Sequence, residues 1–526
     1  MVEPLFETPS ENQRLFIGLC TSNSTMQIDL RTKLTPAAHI KLMINIGAGL
    51  DISTGHYIKG RRNESVLNGG LAAITGYTGI GNNFKSTFEH FQTLTAMSRM
   101  MFSTGKTYDT EVNIHEDHQR EVVSRIEAFH GEDVLDTGRW SITDKTVYVG
   151  DEWYKEHKKE LEEKVKRKDI VVNTPFWNRE RTGAFTMLIP TFTEIDSFSE
   201  FETSDVIEMQ DKNDLGEGGG NMIHQRQGLA KTRILMEAPR LHGQAYDYLQ
   251  MVAHLGKEST LQNAGPAGSV PIQKLKHLKN GDKIKGVTDK FTFITHNLWH
   301  CFNSAPLFDS NRAPEYPRNQ DDTLKLDTDL NTVQIRNLRS KSGVSGMAFT
   351  LIVSQKEGVL PSLTEFHHIK EQGRFGLEGN NINYSLAIYP EVKLQRTTVR
   401  RKIDSDPMLR RALNITSEMC QMSYLWHTLR PEFKIAPKDL YEKLKADGFD
   451  WSILLTTRGW WTHEHGEQHE LPFLSTMDLL RMTLPKEDRD HYFPYWMGED
   501  KKPLPQYLDL IQRCAERDGF TYLAAA

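Results

Sequence analysis

Short continuous apolar runs bounded by turn residues alternate with helical spacing between about residues 66 and 400, the pattern of an α/β core. Gly70 to Thr75 reads as a buried parallel strand and Phe88 to Met101 as an amphipathic helix. Further strands are predicted over Thr104 to Ile114, Phe185 to Asp196 and Gln250 to His254, with helices over Glu152 to Lys168 and 229 to 239. Residues 205 to 228 are polar and Gly-rich, which predicts a loop. Phe291 to Phe308 is aromatic and strand-like, and Asn331 to Arg339 alternates with Met347 to Ser354 as a β-pair. More strands are expected to about Leu394, and helical spacing follows a basic junction at 393 to 402. The expected division is an adaptor over 1–65, an α/β core with a central, mostly parallel sheet over 66–400, and a mostly helical C-terminal domain over 401–526.

Length and charge add bounds. A chain of 526 residues exceeds one ordinary core and suggests two or three. With 64 Lys+Arg against 70 Asp+Glu the formal net charge is −6, so a basic lining for a polyanion has to be local, as in the lysine-rich stretch from Gly256 to Lys285. The four cysteines, Cys20, Cys301, Cys420 and Cys514, form no C-x-x-C, which predicts free thiols in a reducing, cytoplasmic compartment and argues against a zinc module. No run of 18 apolar residues is present, so no membrane span is expected. His463, His465 and His469 crowd one polar stretch without a ligand spacing that defines a metal site, and are read as a solvated loop.

The candidate chemistry begins directly after the first strand. Gly79, Ile80, Gly81, Asn82, Asn83, Phe84, Lys85, Ser86 and Thr87 have the spacing of a phosphate-binding loop, with Phe84 where the consensus has its last Gly. Such a loop needs little side chain near the phosphates, a Lys reaching the β- and γ-phosphates, and a hydroxyl on Mg²⁺. Lys85 and Ser86 fill the last two roles. Asp109 and Glu111 stand at the carboxyl end of the next strand, where open α/β sheets put their chemistry, and Glu111 is positioned to polarise an attacking water. The run ending in Asp196 has the Walker B pattern of a strand-end carboxylate holding the Mg²⁺ shell.

With these motifs in order, the chain resembles the RecA family, and specifically the UvsX recombinases of tailed phages. Phe84-Lys85-Ser86 looks like the Phe-Lys-Ser loop of that family, Tyr108-Asp109-Thr110-Glu111 is similar to its Tyr-Asp-Ser-Glu, and Leu42 to Gly55 resembles its lead-in to the phosphate loop. Val252-Ala253-His254 looks like its Val-Asn-His segment. The resemblance implies a RecA-like P-loop ATPase using ATP and Mg²⁺, with Glu111 as catalytic base and His254 as γ-phosphate sensor. It also implies DNA-binding loops at about 208–228 and 257–290, and Arg339 and Lys341 as a basic pair entering the neighbouring subunit's ATP site. The expected partners are single-stranded and double-stranded DNA and further copies of the chain in a helical filament, in the cytoplasm of a phage-infected bacterial host.

Two other readings share some of these features. A head-to-tail interface that closes gives a hexameric ring, as in a helicase of the same superfamily. A nucleotide-binding structural protein would keep Lys85 but need not keep Glu111, Asp196 and His254 together.

Overall fold

The computed structural model describes residues 71–76, 105–109, 140–143, 149–177, 184–188, 191–212, 220–245, 247–257, 275–279, 281–287, 289–294, 297–319, 325–326, 328–340, 346, 348–354, 358–425, 429–457, 474–488 and 491–517. The phosphate-loop stretch 79–87, Glu111, Lys341, the adaptor 1–65, the expected helix 88–101 and the histidines at 463–469 lie outside the described residues.

Along the first half of the chain run β1 (Leu71–Gly76), β2 (Gly105–Asp109), β3 (Trp140–Thr143), α1 (Gly150–Lys166), β4 (Val171–Trp177), β5 (Ala184–Leu188) and β6 (Thr191–Asp196). There follow α2 (Ser204–Lys212), α3 (Gly220–Ala245), β7 (Asp247–Lys257), β8 (Asp282–Ile284), α4 (Asp289–Ile294), β9 (Asn297–Pro306), β10 (Leu330–Ser340), β11 (Ala348–Ser354) and β12 (Gly358–Val359). Ten of these strands form one mixed sheet in the order β12-β11-β10-β9-β1-β7-β6-β2-β3, with β8 added to β7. All pairings from β9 through β3 are parallel, whereas β10, β11, β12 and β8 join antiparallel.

Strand β7 lies inside the sheet between β1 and β6. Leu249, Met251, Val252 and Ala253 have no solvent exposure, as expected of a strand paired on both sides and covered on both faces. Helix α1 shows how charge and burial divide one element. Trp153, Tyr154, His157 and Leu161 form its buried face, while Asp151 and Glu152 in the first turn and Lys164 and Lys166 in the last suit the helix dipole. Asp151 also accepts from the Ser204 N–H at 2.8 Å and the Ser204 hydroxyl at 2.7 Å, joining α1 to the start of α2.

Several sequence expectations are corrected. The apolar run 185–196 is two strands, not one. Pro190, which cannot donate to a ladder, separates β5, paired with β4 in a hairpin, from β6 in the main sheet. The expected loop 205–228 is largely helical, because Val206 is buried and α3 starts at Gly220, well ahead of 229. Burial of Ile234, Leu235 and Ala238 against the sheet outweighs the roughly 1 kcal/mol that Gly costs in a helix. The first part of 291–308 is helix α4, and only Asn297 onward is strand. Of the expected strand 104–114, Gly105–Asp109 is strand and 110–114 lie outside the described residues.

A second core follows, with α5 (Pro361–Glu371), a small antiparallel sheet of β13 (Leu377–Gly379), β14 (Asn383–Leu386) and β15 (Tyr389–Gln395), then α6 (Val399–Ser405), α7 (Pro407–Leu425), α8 (Pro437–Ala446), α9 (Trp451–Thr456), α10 (Thr476–Met482) and α11 (Pro505–Arg517). One apolar cluster spans these elements and reaches back to Tyr316, Leu330 and Ile352, so the helical region shares its core with the far side of the large sheet. Among the described residues no helix is long and apolar enough to cross a membrane.

Arg400 on α6 marks the seam. Its guanidinium, 2% exposed, donates both ways to Asp329 at 3.0 Å, and Ser354 on β11 donates to the same carboxylate at 2.7 Å. Burial alone would raise the Asp329 pKa, yet the Arg400 and Ser354 hydrogen bonds hold it below the ordinary carboxylate range. Arg400→Leu strands this carboxylate and is expected to cost about 3 kcal/mol in urea unfolding. Because the folded pKa is depressed, the pair's contribution is present above the unfolded value of about 3.9 and is lost as pH falls through the lower folded value. An unchanged urea midpoint in Arg400→Leu would refute the seam.

Candidate site at the carboxyl edge of the sheet

The parallel block carries its candidate chemistry on one edge. From β1 the chain proceeds to β2 on one side, and from β7 to β9 on the other. Adjacent strands with diverging connections open a crevice beyond their carboxyl ends. Gly76, the last residue of β1, is in register with His254 on β7. On the next strand, Ile195 is level with Met251, and Asp196 is level with Asp109 at the end of β2. The backbones of β1 and β6 are two strand spacings apart, about 10 Å.

The structure thus brings Asp196 and His254 to the edge where β1 ends; the stretch 79–87 begins three residues after Gly76 in the sequence, outside the described residues. Glu111 follows β2 by two residues, outside the described residues. Arg339 is placed differently. It sits on β10 opposite Leu298, which is itself level with Ala73, about 10 Å short of the end of β1 at strand rise. β10 runs antiparallel to β9, so the chain continues from Arg339 away from that edge. Its guanidinium lies 5.1 Å from the ring centroid of Phe293, an exposed aromatic on α4.

Beyond Asp196 the chain turns through Ser197 to Glu200 and is fastened to β7 and β8. Phe198 N–H donates to Val252 O at 2.8 Å. The Ser199 hydroxyl accepts from His254 N–H at 2.9 Å and donates to Lys285 O at 2.7 Å. Lys285 N–H in turn donates to His254 O at 2.7 Å. The sequence pattern identified none of this network.

Lys231 of α3 completes it. Only 1% exposed, its ammonium donates to Ser199 O at 2.9 Å and Gly286 O at 3.0 Å and lies 5.5 Å from the Phe198 ring centroid. Burial pushes its pKa down to about 8, opposed by the charges of Glu200 and Glu202. Glu200 is held below the ordinary range first by its hydrogen bond from Lys285, at 2.9 Å, and then, against partial burial, by the charges of Lys285, His254 and Lys231. Lys285, one of the lysines expected to meet a polyanion, is therefore already paired, whereas Lys283 is exposed.

A signal for Lys231 did exist. It stands three, four and seven residues before Ile234, Leu235 and Ala238, on the apolar stripe of its helix.

No known family profile matches the chain, and no curated protein matches it.

Gly286 is required by the approach of the two segments. Its φ of +68° is in the left-handed region, and a Cβ there would collide with the Ser199 carbonyl. Gly281, at φ +80°, faces open space. Gly281→Ala should cost only the backbone term, about 1–2 kcal/mol, and Gly286→Ala at least about 2 kcal/mol more from the collision. Equal losses in chemical denaturation would contradict this packing.

Proposed function

We propose that the protein is an ATP-hydrolysing, Mg²⁺-dependent P-loop ATPase with a RecA-like core, which assembles on single-stranded DNA and promotes homologous pairing with double-stranded DNA. The observation that carries this reading is the register at the carboxyl edge: Gly76 beside His254, with Asp196 level with Asp109 two strands away. Asp196 and His254 lie at this edge, and the phosphate-loop stretch and Glu111 each follow in sequence a strand that ends there.

In this reading Gly79 to Thr87 wrap the phosphates through backbone N–H groups, Lys85 contacts the β- and γ-phosphates, and Ser86 with Asp196 holds the Mg²⁺ shell. Glu111 accepts the proton of the attacking water. His254 senses the γ-phosphate, and its peptide is tied through Ser199 to Lys285, in the segment proposed to meet DNA. The reading thus gives nucleotide state and DNA contact a shared hydrogen-bond network. The metal and nucleotide supply charge neutralisation and the transferred group, while the residues of this chain position them.

The deciding measurement is ATP hydrolysis with and without single-stranded DNA. Stimulation by DNA is expected in the wild type, and loss of turnover with an unchanged fold in Lys85→Ala. An inactive wild type, or a fully active Lys85→Ala, would refute the ATPase.

At Arg339 β10 runs away from the carboxyl edge of its own subunit, which supports service of the Arg339 and Lys341 pair to a neighbour's site. Arg339→Ala/Lys341→Ala and Glu111→Gln are each expected to be inactive alone, since a trans-acting cation is worth about 10³- to 10⁵-fold. Mixed, they should recover part of the activity, because intact Glu111 sites then sit against intact basic pairs. Co-assembly without any recovery would overturn the trans role.

A further inference from the structure

The opposite edge of the same strands holds a second cluster. Asp247, the first residue of β7, is 1% exposed; His242 near the end of α3 is 0% exposed, and His157 on α1 is 2% exposed. They meet about 17 Å from Asp196, the length of β6 at strand rise. The chemistry proposed for the carboxyl edge uses none of them.

Asp247 Oδ1 accepts from the hydroxyls of Thr191 and Thr193, the latter at 3.1 Å. Its Oδ2 is 2.6 Å from His242 Nδ1 and 4.0 Å from His157 Nε2. Three buried ring nitrogens, both of His157 and Nε2 of His242, have no hydrogen-bond partner; His157 Nδ1 has only the Glu160 carboxylate at 3.5 Å. Trp153 stacks on the His157 ring at a centroid distance of 5.2 Å, fixing its plane. Buried polar atoms are nearly always paired, and an orphan costs about 1–3 kcal/mol. A buried His157 with no bonded ring nitrogen, beside a carboxylate that already holds His242 Nδ1, points to a partner that accepts lone pairs.

We propose that His157, His242 and Asp247 form a binding site for a divalent transition-metal ion of the zinc class. One donor atom from each residue lies within 4.8 Å of the other two. A tetrahedral ion bound at the usual Zn–N and Zn–O lengths needs donors about 3.4 Å apart. The distances of 2.6 and 4.0 Å straddle that value, so shifts below about 1 Å close the shell. His242 passes its proton from Nδ1 to Nε2, leaving the Nδ1 lone pair to the ion, and the Lys164 ammonium, which donates to Thr191 Oγ1 at 2.9 Å, takes no part in the coordination. Thr191 and Thr193 orient the carboxylate from behind, the role of an outer shell. Two imidazoles with one carboxylate suit Zn²⁺, Co²⁺ or Ni²⁺, whereas Mg²⁺ and Ca²⁺ prefer all-oxygen shells. Glu160, largely exposed beside His157, pairs with Lys106.

The test uses the full chain stripped with a chelator, titrated with Zn²⁺ by calorimetry and with Co²⁺ by visible absorption. One equivalent is expected, with the intense visible bands of four-coordinate Co²⁺ and no competition from excess Mg²⁺. His157→Gln and Asp247→Asn should each weaken binding at least 10-fold. Joint replacement of His463, His465 and His469 by Gln should leave it unchanged. The wild-type Co²⁺ titration decides even where a variant fails to fold: no stoichiometric uptake, or only six-coordinate spectra, overturns the site. Uptake that survives His157→Gln but disappears with the three distal histidines overturns it equally.

Discussion

Parallel pairing on both sides of β7 is the constraint from which the rest follows. A parallel strand cannot be joined to its neighbour by a tight turn, so every pair requires a crossover. All carboxyl ends then share one edge and all amino ends the other. With four core residues of β7 wholly buried, the strand has no freedom to slip: a shift of one residue would turn its side chains over to the opposite face. The register between Gly76 and His254, and the meeting of Asp247 with residues of α1 and α3, are fixed by that one pairing.

Both ends of the central strands are consequently polar, for different reasons. At the carboxyl end Asp196, Glu200 and His254 are partly exposed. At the amino end the polar groups are sealed beneath two helices, with hydroxyls and a carboxylate bonded to one another. Between the two ends β7 buries the apolar Leu249, Met251, Val252 and Ala253, while β6 buries the carboxylate of Glu194.

Much of the sheet was legible from the chain. β1, β7, β10 and β11 were recognisable from apolar runs and alternation, and the strand-end acids marked where two of the strands stop. Boundaries were harder to read. Gly220 opens a helix because packing further along α3 outweighs local propensity, and Pro190 divides a run that hydrophobicity alone cannot divide. The charged appearance of 150–166 concealed a buried face, since Trp153, His157 and Leu161 recur at fourfold spacing among lysines and glutamates. In the same way Lys231 and His242 lie on the apolar stripe of α3, where their periodicity marks them as buried although their chemistry suggests surface. The network around Ser199 was not legible at all, because it joins β6, β7, β8 and α3 through contacts that are distant in sequence.

The hydroxyl of Ser199 carries a single hydrogen, and this gives the network a sense of direction. With that hydrogen committed to Lys285 O, the oxygen is left to accept from His254 N–H, and the backbone peptides on either side have fixed polarity that does not allow the pattern to be reversed. The turn after β8 and the end of β7 are therefore pinned to one point on a third segment: sliding one past the other costs at least one bond of the hydroxyl, and moving the pair together past Ser199 costs both. Such a joint resists shear among all three segments.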